Sequence, residues 1–161
     1  MMRLVAPLIL LLPACSLTPV YSGGTPGPVA TMLADTDVAE IPERSGFLVR
    51  QALLARVAGS GSARYRVVVS LDDAITGFGV RGDDSVSRER RTLRGRWQLV
   101  DTASGATLID ESVRADAGID VVSSDYAVVA AENAALERLA VDLAEQIARR
   151  IMRHAMRQDQ P

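Results

Sequence analysis

Residues 64–71 read Arg64-Tyr65-Arg66-Val67-Val68-Val69-Ser70-Leu71, and the predicted fold is built outward from this stretch. Apolar side chains at the odd positions alternate with mostly polar side chains at the even positions. A period of two residues is typical of a strand with one buried face. The sequence therefore predicts a half-buried strand that runs on to about Ile75 and ends at a glycine-rich turn around residues 77–84.

The next two predicted strands follow directly. One runs from about 85 to 101, and its odd positions include Leu93 and Trp97, which we assign to the core. Residues 102–105 read Thr-Ala-Ser-Gly, which is typical of a hairpin turn, and the partner strand follows over 107–117. The three strands are consecutive and antiparallel, so we expect a meander.

The residues before the meander are predicted as one strand and one helix. Val29 to Ile41 has a patchy β character, which favours a single strand that is bulged near 35–37 and ends at Pro42. Pro42-Glu43 then opens a helix, because proline suits the first turn and an acidic residue there complements the helix dipole. Helical spacing extends this helix to about Ala58. Its apolar face is assigned to Phe47, Leu48, Gln51, Leu54, Ala55 and Ala58.

A long helix is predicted from about Asp125 to Met156, with Ser124 or Asp125 as its cap. Its apolar seam consists of Leu136, Ala140, Leu143, Ile147 and Ile151. The predicted fold class is α+β, a two-layer sandwich in which two helices cover one face of a mainly antiparallel four-stranded sheet, in the order β-α-β-β-β-α. A single domain spans 29–157, and a tail follows over 158–161.

The chain before this domain has the features of a leader and a tether. Arg3 precedes an apolar run, Leu4–Leu12, that is too short to span a bilayer, and a small residue then precedes Cys15, the only cysteine. This order predicts a signal peptide over 1–14. A cysteine directly after the cut resembles the lipobox of bacterial lipoproteins, which implies lipid attachment at Cys15. The alternative is an ordinary signal peptide with an incidental thiol. Residues 15–28 would form the lipidated N-terminus and a flexible tether.

Composition and motifs argue against several classes of function. The net charge is −2, so the balance of charges gives no indication of a nucleic-acid partner. The sequence has no Gly-x-Ser-x-Gly elbow, P-loop or dinucleotide fingerprint, and Asp72-Asp73 and Asp83-Asp84 adjoin predicted turns, where aspartate is common. His154 is the sole histidine, which disfavours a metal site. We therefore predict a protein that is not an enzyme and holds no metal or cofactor.

Three short groups of residues, spread over nearly the whole chain, resemble one known family. The first is Cys15 with Thr18-Pro19-Val20-Tyr21. The second is Ile41-Pro42-Glu43-Arg44-Ser45-Gly46, followed by Leu48, Arg50 and Leu53. The third is Tyr126-Ala127, Ala131-Glu132-Asn133-Ala134 and Leu139-Ala140, running into Ile147 and Arg150. In this order and spacing they are similar to the LPS-assembly lipoproteins, LptE, in their alphaproteobacterial form.

The resemblance implies a function. Members of that family sit as a plug inside LptD, a large outer-membrane β-barrel, help the barrel to fold, and help lipopolysaccharide to reach the outer leaflet. The implied location is the periplasmic side of the outer membrane, with the barrel, lipopolysaccharide and the membrane itself as partners. Ser16, rather than aspartate, after the cysteine favours the outer membrane. The alternative function is a lipoprotein accessory subunit of an envelope phospholipid ABC transporter, which the identity of the partner would distinguish.

All 18 basic residues are arginines, and four of them form a row on one predicted strand. By strict alternation one face carries Arg88, Arg90, Arg94 and Arg96. Like charges two residues apart repel, at a separation of about 7 Å, so the row needs acids or a ligand nearby. Arginine binds phosphate in a forked, charge-assisted way, which makes the row a candidate site for lipid A phosphates or an acidic barrel wall. The alternative is pairing with acids on the neighbouring strands, such as Asp72, Asp110 and Asp116.

Overall fold

A computed structural model describes residues 27–57, 63–80 and 86–158, which form three helices and four strands. In chain order these are α1 (Pro28–Ala34), β1 (Thr36–Val38), α2 (Glu43–Leu54), β2 (Tyr65–Val80), β3 (Val86–Asp101), β4 (Thr107–Asp120) and α3 (Asp125–Gln158). The sheet order is β1-β2-β3-β4, with β1 parallel to β2 and the other neighbours antiparallel. The predicted α+β two-layer class is confirmed, with a mixed sheet and one more helix than expected.

The predicted meander of β2, β3 and β4 is confirmed. Val67 lies opposite Leu99, which lies opposite Ile109, and all three side chains are buried. β2 continues five residues beyond the expected end at Ile75, because Phe78 is still paired with β3. Strands of 16 residues span about 50 Å, so β2 and β3 extend far beyond the three-residue strand β1.

The turn between β3 and β4 falls where the sequence predicts it. The Asp101 carboxylate accepts hydrogen bonds from the backbone N–H groups of Ala103 and Ser104, both at 3.0 Å. Those bonds, with the Ser104 bond first, lower the pKa of Asp101. Gly105 has φ +72, a conformation that disfavours any side chain, so the turn closes at a glycine.

The long helix α3 carries the predicted apolar seam. Its residues Leu136, Ala140, Leu143, Ile147 and Ile151 are all buried. Gly95 of β3 lies directly beneath this seam, where an added Cβ would come within 3.2 Å of Leu143 Cδ2. The missing side chain therefore lets α3 pack closely on the sheet. Ser124 caps the helix by accepting a hydrogen bond from the Ala127 N–H at 3.4 Å.

The prediction of one strand over Val29–Ile41 is wrong for most of its length. Residues 28–34 form helix α1, and only Thr36–Val38 are extended. Pro28 stands in the first helical turn, where its missing N–H is no loss. Val29 and Met32, three residues apart, are both buried on the side of the helix that joins the core. Tertiary packing of this short amphipathic turn outweighs the β propensity of its residues.

The predicted start of α2 is confirmed, but its predicted apolar face is only partly correct, because Leu48 and Leu54 pack against the core whereas Gln51 and Ala55 are exposed. The helix begins at Glu43 and ends at Leu54. Phe47 was assigned to the core, yet 57% of it is exposed. The buried residues of the helix are Ser45, Gly46, Val49 and Leu53. The buried side of the helix therefore runs through these four residues, and Gly46 lies directly against Ile41 of the preceding turn.

Candidate functional site

The face of the sheet away from the helices is the charged surface that the sequence predicts. Even-numbered residues of β2, β3 and β4 point to this side, and the register sets them in rows across the three strands. Its basic residues are Arg66, Arg88, Arg90, Arg94, Arg96 and Arg114, and its acidic residues are Asp72, Asp110, Asp116 and Asp120. The face therefore carries two more arginines than acids. We call it the charged sheet face.

One end of the arginine row is neutralised within the sheet. Arg96 donates two hydrogen bonds to Asp110, at 3.0 and 2.9 Å, and Gln98 donates a third at 2.9 Å. Arg96 first, and Gln98 second, lower the pKa of Asp110 from its ordinary 3.8 to about 2. Arg96 and Asp110 thus form a forked ion pair, as the pairing alternative predicted for this acid.

The other end of the row is paired differently. Arg88 lies 3.1 Å from Asp120, an acid that the sequence reading did not consider because it placed the end of the strand at Ala117. Arg90 lies over the ring of Phe78, with the guanidinium carbon 5.3 Å from the ring centroid. Arg88 is therefore paired with an acid, whereas Arg90 rests on an aromatic ring.

Arg94 is the member of the row that lies at the centre of the charged sheet face without a bonded partner among the described residues. It stands opposite Asp72 on β2 and opposite Arg114 on β4. In the described part of the chain Arg94 makes no hydrogen bond or ion pair. Arg114 is held instead by Asp116, at 2.7 Å, and that bond lowers the pKa of Asp116. Asp116, which was one of the acids expected to pair with the row, thus pairs with Arg114, an arginine outside the row.

A shallow groove runs across the charged sheet face at this point. It has a volume of about 520 Å³ and is lined by backbone and side chains of Ser70, Leu71, Asp72, Arg94, Gly95, Arg96, Ser112, Val113 and Arg114. Three guanidinium groups and one carboxylate converge on it. Only the register of β4 against β3 reveals this grouping, because Arg94 and Arg114 are twenty residues apart in sequence.

A second charged pair lies on the helix side of the sheet and was not anticipated. Arg91 donates to both carboxylate oxygens of Asp73, at 2.8 and 2.6 Å, and to the backbone oxygen of Glu132 at 2.9 Å. Only 13% of the Arg91 side chain and 16% of the Asp73 side chain are exposed. The bond to Asp73 raises the pKa of Arg91. Since all three of these Arg91 hydrogen bonds go to protein groups, the pair joins β2, β3 and α3 and does not offer a ligand site.

The other features considered in the sequence do not form a functional site within the described residues. His154 is partly buried on α3, and burial, followed by the charge of Arg157, lowers its pKa. Across residues 27–57, 63–80 and 86–158, no three acidic, histidine or cysteine side chains are grouped to hold a metal ion. In the same ranges no helix has the length and apolar character needed to cross a membrane. Cys15 and the predicted signal peptide lie outside the described residues.

Comparison with solved structures places the fold among lipoproteins. A lipoprotein from Caulobacter crescentus CB15 matches with a TM-score of 0.68 at 25% identity, over 83% of this chain and 98% of that one. Rare lipoprotein B from Shewanella oneidensis matches with a TM-score of 0.61 at 7% identity, over 78% and 97%. A minor lipoprotein from Acinetobacter baumannii matches with a TM-score of 0.58 at 16% identity, over 80% and 98%.

Comparison of sequences is more specific. No curated protein matches the chain significantly. The sequence model of the LptE family, described as lipopolysaccharide-assembly, matches residues 33–151, which run from the end of α1 to the last turns of α3. This match covers well over half of the chain and includes the whole charged sheet face. The chain belongs to the LptE family and has a role in lipopolysaccharide assembly.

Proposed function

We propose that this protein is an outer-membrane lipoprotein, anchored through Cys15, that plugs and helps to assemble an LptD-type β-barrel. In that position it assists the insertion of lipopolysaccharide into the outer leaflet. Membership of the LptE family supports the proposal, as does the likeness to solved lipoproteins. The role is one of binding and assembly rather than catalysis.

The lack of a bonded partner for the Arg94 guanidinium is the observation that supports direct contact with lipopolysaccharide. Arg94 forms no hydrogen bond or ion pair within the described residues, and it lies between Asp72 on β2 and Arg114 on β4. A guanidinium group without a carboxylate partner binds the oxygens of a phosphate group in a forked, charge-assisted way. We therefore narrow the proposed phosphate contact within the row to Arg94. Arg114 borders the same groove, but it is already held by Asp116 and is a weaker candidate.

The other arginines of the row are weaker candidates. Arg88 and Arg96 already have carboxylate partners, so a phosphate would have to compete with an acid held in place by the sheet. Arg90 has no carboxylate partner among the described residues, but it lies over Phe78 and does not line the groove. Arg88, Arg90, Arg94 and Arg96 all lie on the charged sheet face. The proposed binding centre on that face is the groove at Arg94.

Binding of lipopolysaccharide to the purified protein tests this proposal. Arg94→Gln should weaken binding by about tenfold, because one charge-assisted contact is lost. Arg66→Gln removes the same charge from the same face but outside the groove, and should change the affinity by less than about twofold. An unaltered circular dichroism spectrum shows that the variants fold. Equal affinity of wild type and Arg94→Gln contradicts a phosphate contact at this residue.

The partner is identified by affinity capture. Tagged, lipidated protein is recovered from detergent-solubilised envelopes, and stoichiometric co-purifying proteins are identified by mass. A large outer-membrane β-barrel is the expected partner. Recovery of an ATP-driven transporter instead would favour the role as an accessory subunit of phospholipid transport and would contradict the plug role.

A further inference from the structure

A second basic site lies at the far end of α3, on the opposite layer from the groove at Arg94. A cavity of about 260 Å³ is enclosed there by Ile109 and Glu111 of β4 and by Arg150, Arg153 and Arg157 of α3. Four of its five lining residues are charged, and three of those are cations. The cavity is thus a small, polar, positively charged recess between a helix and the edge strand of the sheet.

The charges in this recess do not balance. Arg150 donates to the carboxylate of Glu111, which is the only acid in the lining. Within the described residues neither Arg153 nor Arg157 makes a hydrogen bond or an ion pair. The two residues are four apart on one helix, a spacing at which like charges repel. Among the described residues, the recess therefore presents two guanidinium groups without a carboxylate partner, beside a third that is held in place.

The helix dipole alone does not account for this arrangement. Cations are favourable in the last turn of a helix, which explains Arg157. Arg150 and Arg153 lie before that turn, and their side chains converge with Arg157 on one cavity instead of spreading around the helix. The charge of Arg157 also contributes to the lowered pKa of His154. Three arginines gathered on one recess are the donor set that a phosphate group requires.

We propose that this recess, which we call the α3 arginine site, binds a phosphate group, from either a membrane phospholipid headgroup or a free phosphate ion. Arg153 and Arg157 would grip its oxygens, and Arg150 would add a third donor from its fixed place beside Glu111. The site is separate from the groove at Arg94, and only its assignment to a headgroup rests on the proposed anchor at Cys15.

The location of the α3 arginine site suits the headgroup as the source. Pro28, where α1 begins, and Gln158, at the end of α3, border one cavity and so lie at the same end of the molecule. Pro28 is 13 residues after Cys15, a length of chain that reaches about 43 Å when fully extended. If Cys15 carries the lipid anchor, Pro28 is tethered within that distance of a bilayer surface, and the end of the molecule that carries the α3 arginine site is the tethered end.

The test uses the full chain in detergent micelles and two probes. Inorganic phosphate is titrated by calorimetry, and retention of phosphatidylglycerol is counted by native mass spectrometry. Arg153→Gln with Arg157→Gln should weaken binding by at least about tenfold, since two charge-assisted contacts are lost. Arg138→Gln removes one charge from an exposed position on the same helix and should bind within about twofold of wild type. Equal melting temperatures confirm that the double variant folds.

The two probes separate the possible sources. Preferential retention of phosphatidylglycerol assigns the α3 arginine site to a membrane headgroup, whereas equal or tighter binding of inorganic phosphate assigns it to the free ion; both support the site. If wild type binds neither probe, or the double variant binds both as tightly as wild type, the proposal is overturned. A negative result for the α3 arginine site does not contradict the proposed phosphate contact at Arg94, because Arg94→Gln tests that contact separately.

Discussion

Single residues shape the turn before α2. Glu43 has φ +69, a left-handed conformation that costs a non-glycine residue about 1–2 kcal/mol, and it stands at the first helical position. Gly46, one turn later, is buried against the backbone of Ile41, where an ideal Cβ would lie only 2.5 Å from the Ile41 oxygen. The strained residue and the absent side chain together let the chain reverse sharply into the helix.

Gly46→Ala should therefore destabilise the protein by about 2 kcal/mol or more, because backbone atoms must move to admit the methyl group. The free energy of unfolding from urea denaturation is the measurement. Gly118→Ala is the control, since nothing lies within 4 Å of an added Cβ there, and it should change stability by less than about 0.5 kcal/mol. If both substitutions have the same small effect, the close contact at Ile41 is not a constraint.

Arg96 should control the ionisation of Asp110. In Arg96→Gln the pKa of Asp110 should rise from about 2 towards its ordinary 3.8, since Arg96 is the main cause of the shift. A carbon-detected NMR titration of the carboxyl group measures it. Because the folded pKa is below the unfolded one, the contribution to stability is complete above about pH 4 and is lost as the pH falls through 2. A pKa that stays near 2 in the variant would assign the shift to other groups.

At the scale of elements, α3 and α1 show that a helix is predictable from sequence only when its apolar spacing extends over several turns. In α3 the apolar spacing is long and regular, so the sequence predicts both the helix and its buried seam. In α1 only seven residues are helical, and no helix propensity over so short a segment outweighs the β character of Val29 and Thr31. The Thr36 hydroxyl donates to the Met32 oxygen at 2.6 Å, which ties the start of β1 to the helix.

Leu143→Ala tests the seam of α3. Leu143 is fully buried and packs over Gly95, so the substitution should cost about 3 kcal/mol through lost burial and the cavity left behind. Val141→Ala shortens a half-exposed side chain on the same helix and should alter stability by less than about 0.5 kcal/mol. Chemical denaturation of both variants gives the comparison. A loss below 1 kcal/mol for Leu143→Ala would show that α3 is not closely packed on the sheet.

At the scale of the whole molecule, the two layers are joined by a polar pair as well as by the core. Arg91 and Asp73 connect β3 to β2 and, through the Glu132 oxygen, to α3. The pair lies where β2 and β3 extend beyond β1, so it fastens the first half of α3 to a part of the sheet that the core of β1 and α2 does not reach. The groove at Arg94 lies on the other side of this same part of the sheet.

A double-mutant cycle tests how much the ion pair of Arg91 and Asp73 contributes to stability. Arg91→Met alone leaves the Asp73 carboxylate largely buried without its partner and should cost about 3 kcal/mol. Arg91→Met with Asp73→Leu replaces both charges by apolar groups and should restore stability to within about 1 kcal/mol of wild type. Urea denaturation measures Arg91→Met, Asp73→Leu and the double variant. If the loss in the double variant equals the sum of the two single losses, the two residues act independently.

The sequence by itself determined the meander, the long helix and the family, because each rests on patterns that extend over many residues. Alternation over β2 and β3 and the seam of α3 are signals of this kind. The sequence also placed Arg88, Arg90, Arg94 and Arg96 on one face, because alternation along a strand needs no knowledge of its neighbours.

Only the tertiary structure decided which of those arginines are free. Pairing of Arg96 with Asp110 and of Arg88 with Asp120, and the opposition of Arg94 and Arg114, depend on the register between strands, which the alternation within one strand does not specify. The same is true of helix α1 and of the buried side of α2, which are set by packing between segments distant in the chain, where a local pattern carries no information. In the α3 arginine site the three arginines are close in sequence, and only the packing of α3 on β4 encloses them with Ile109 and Glu111.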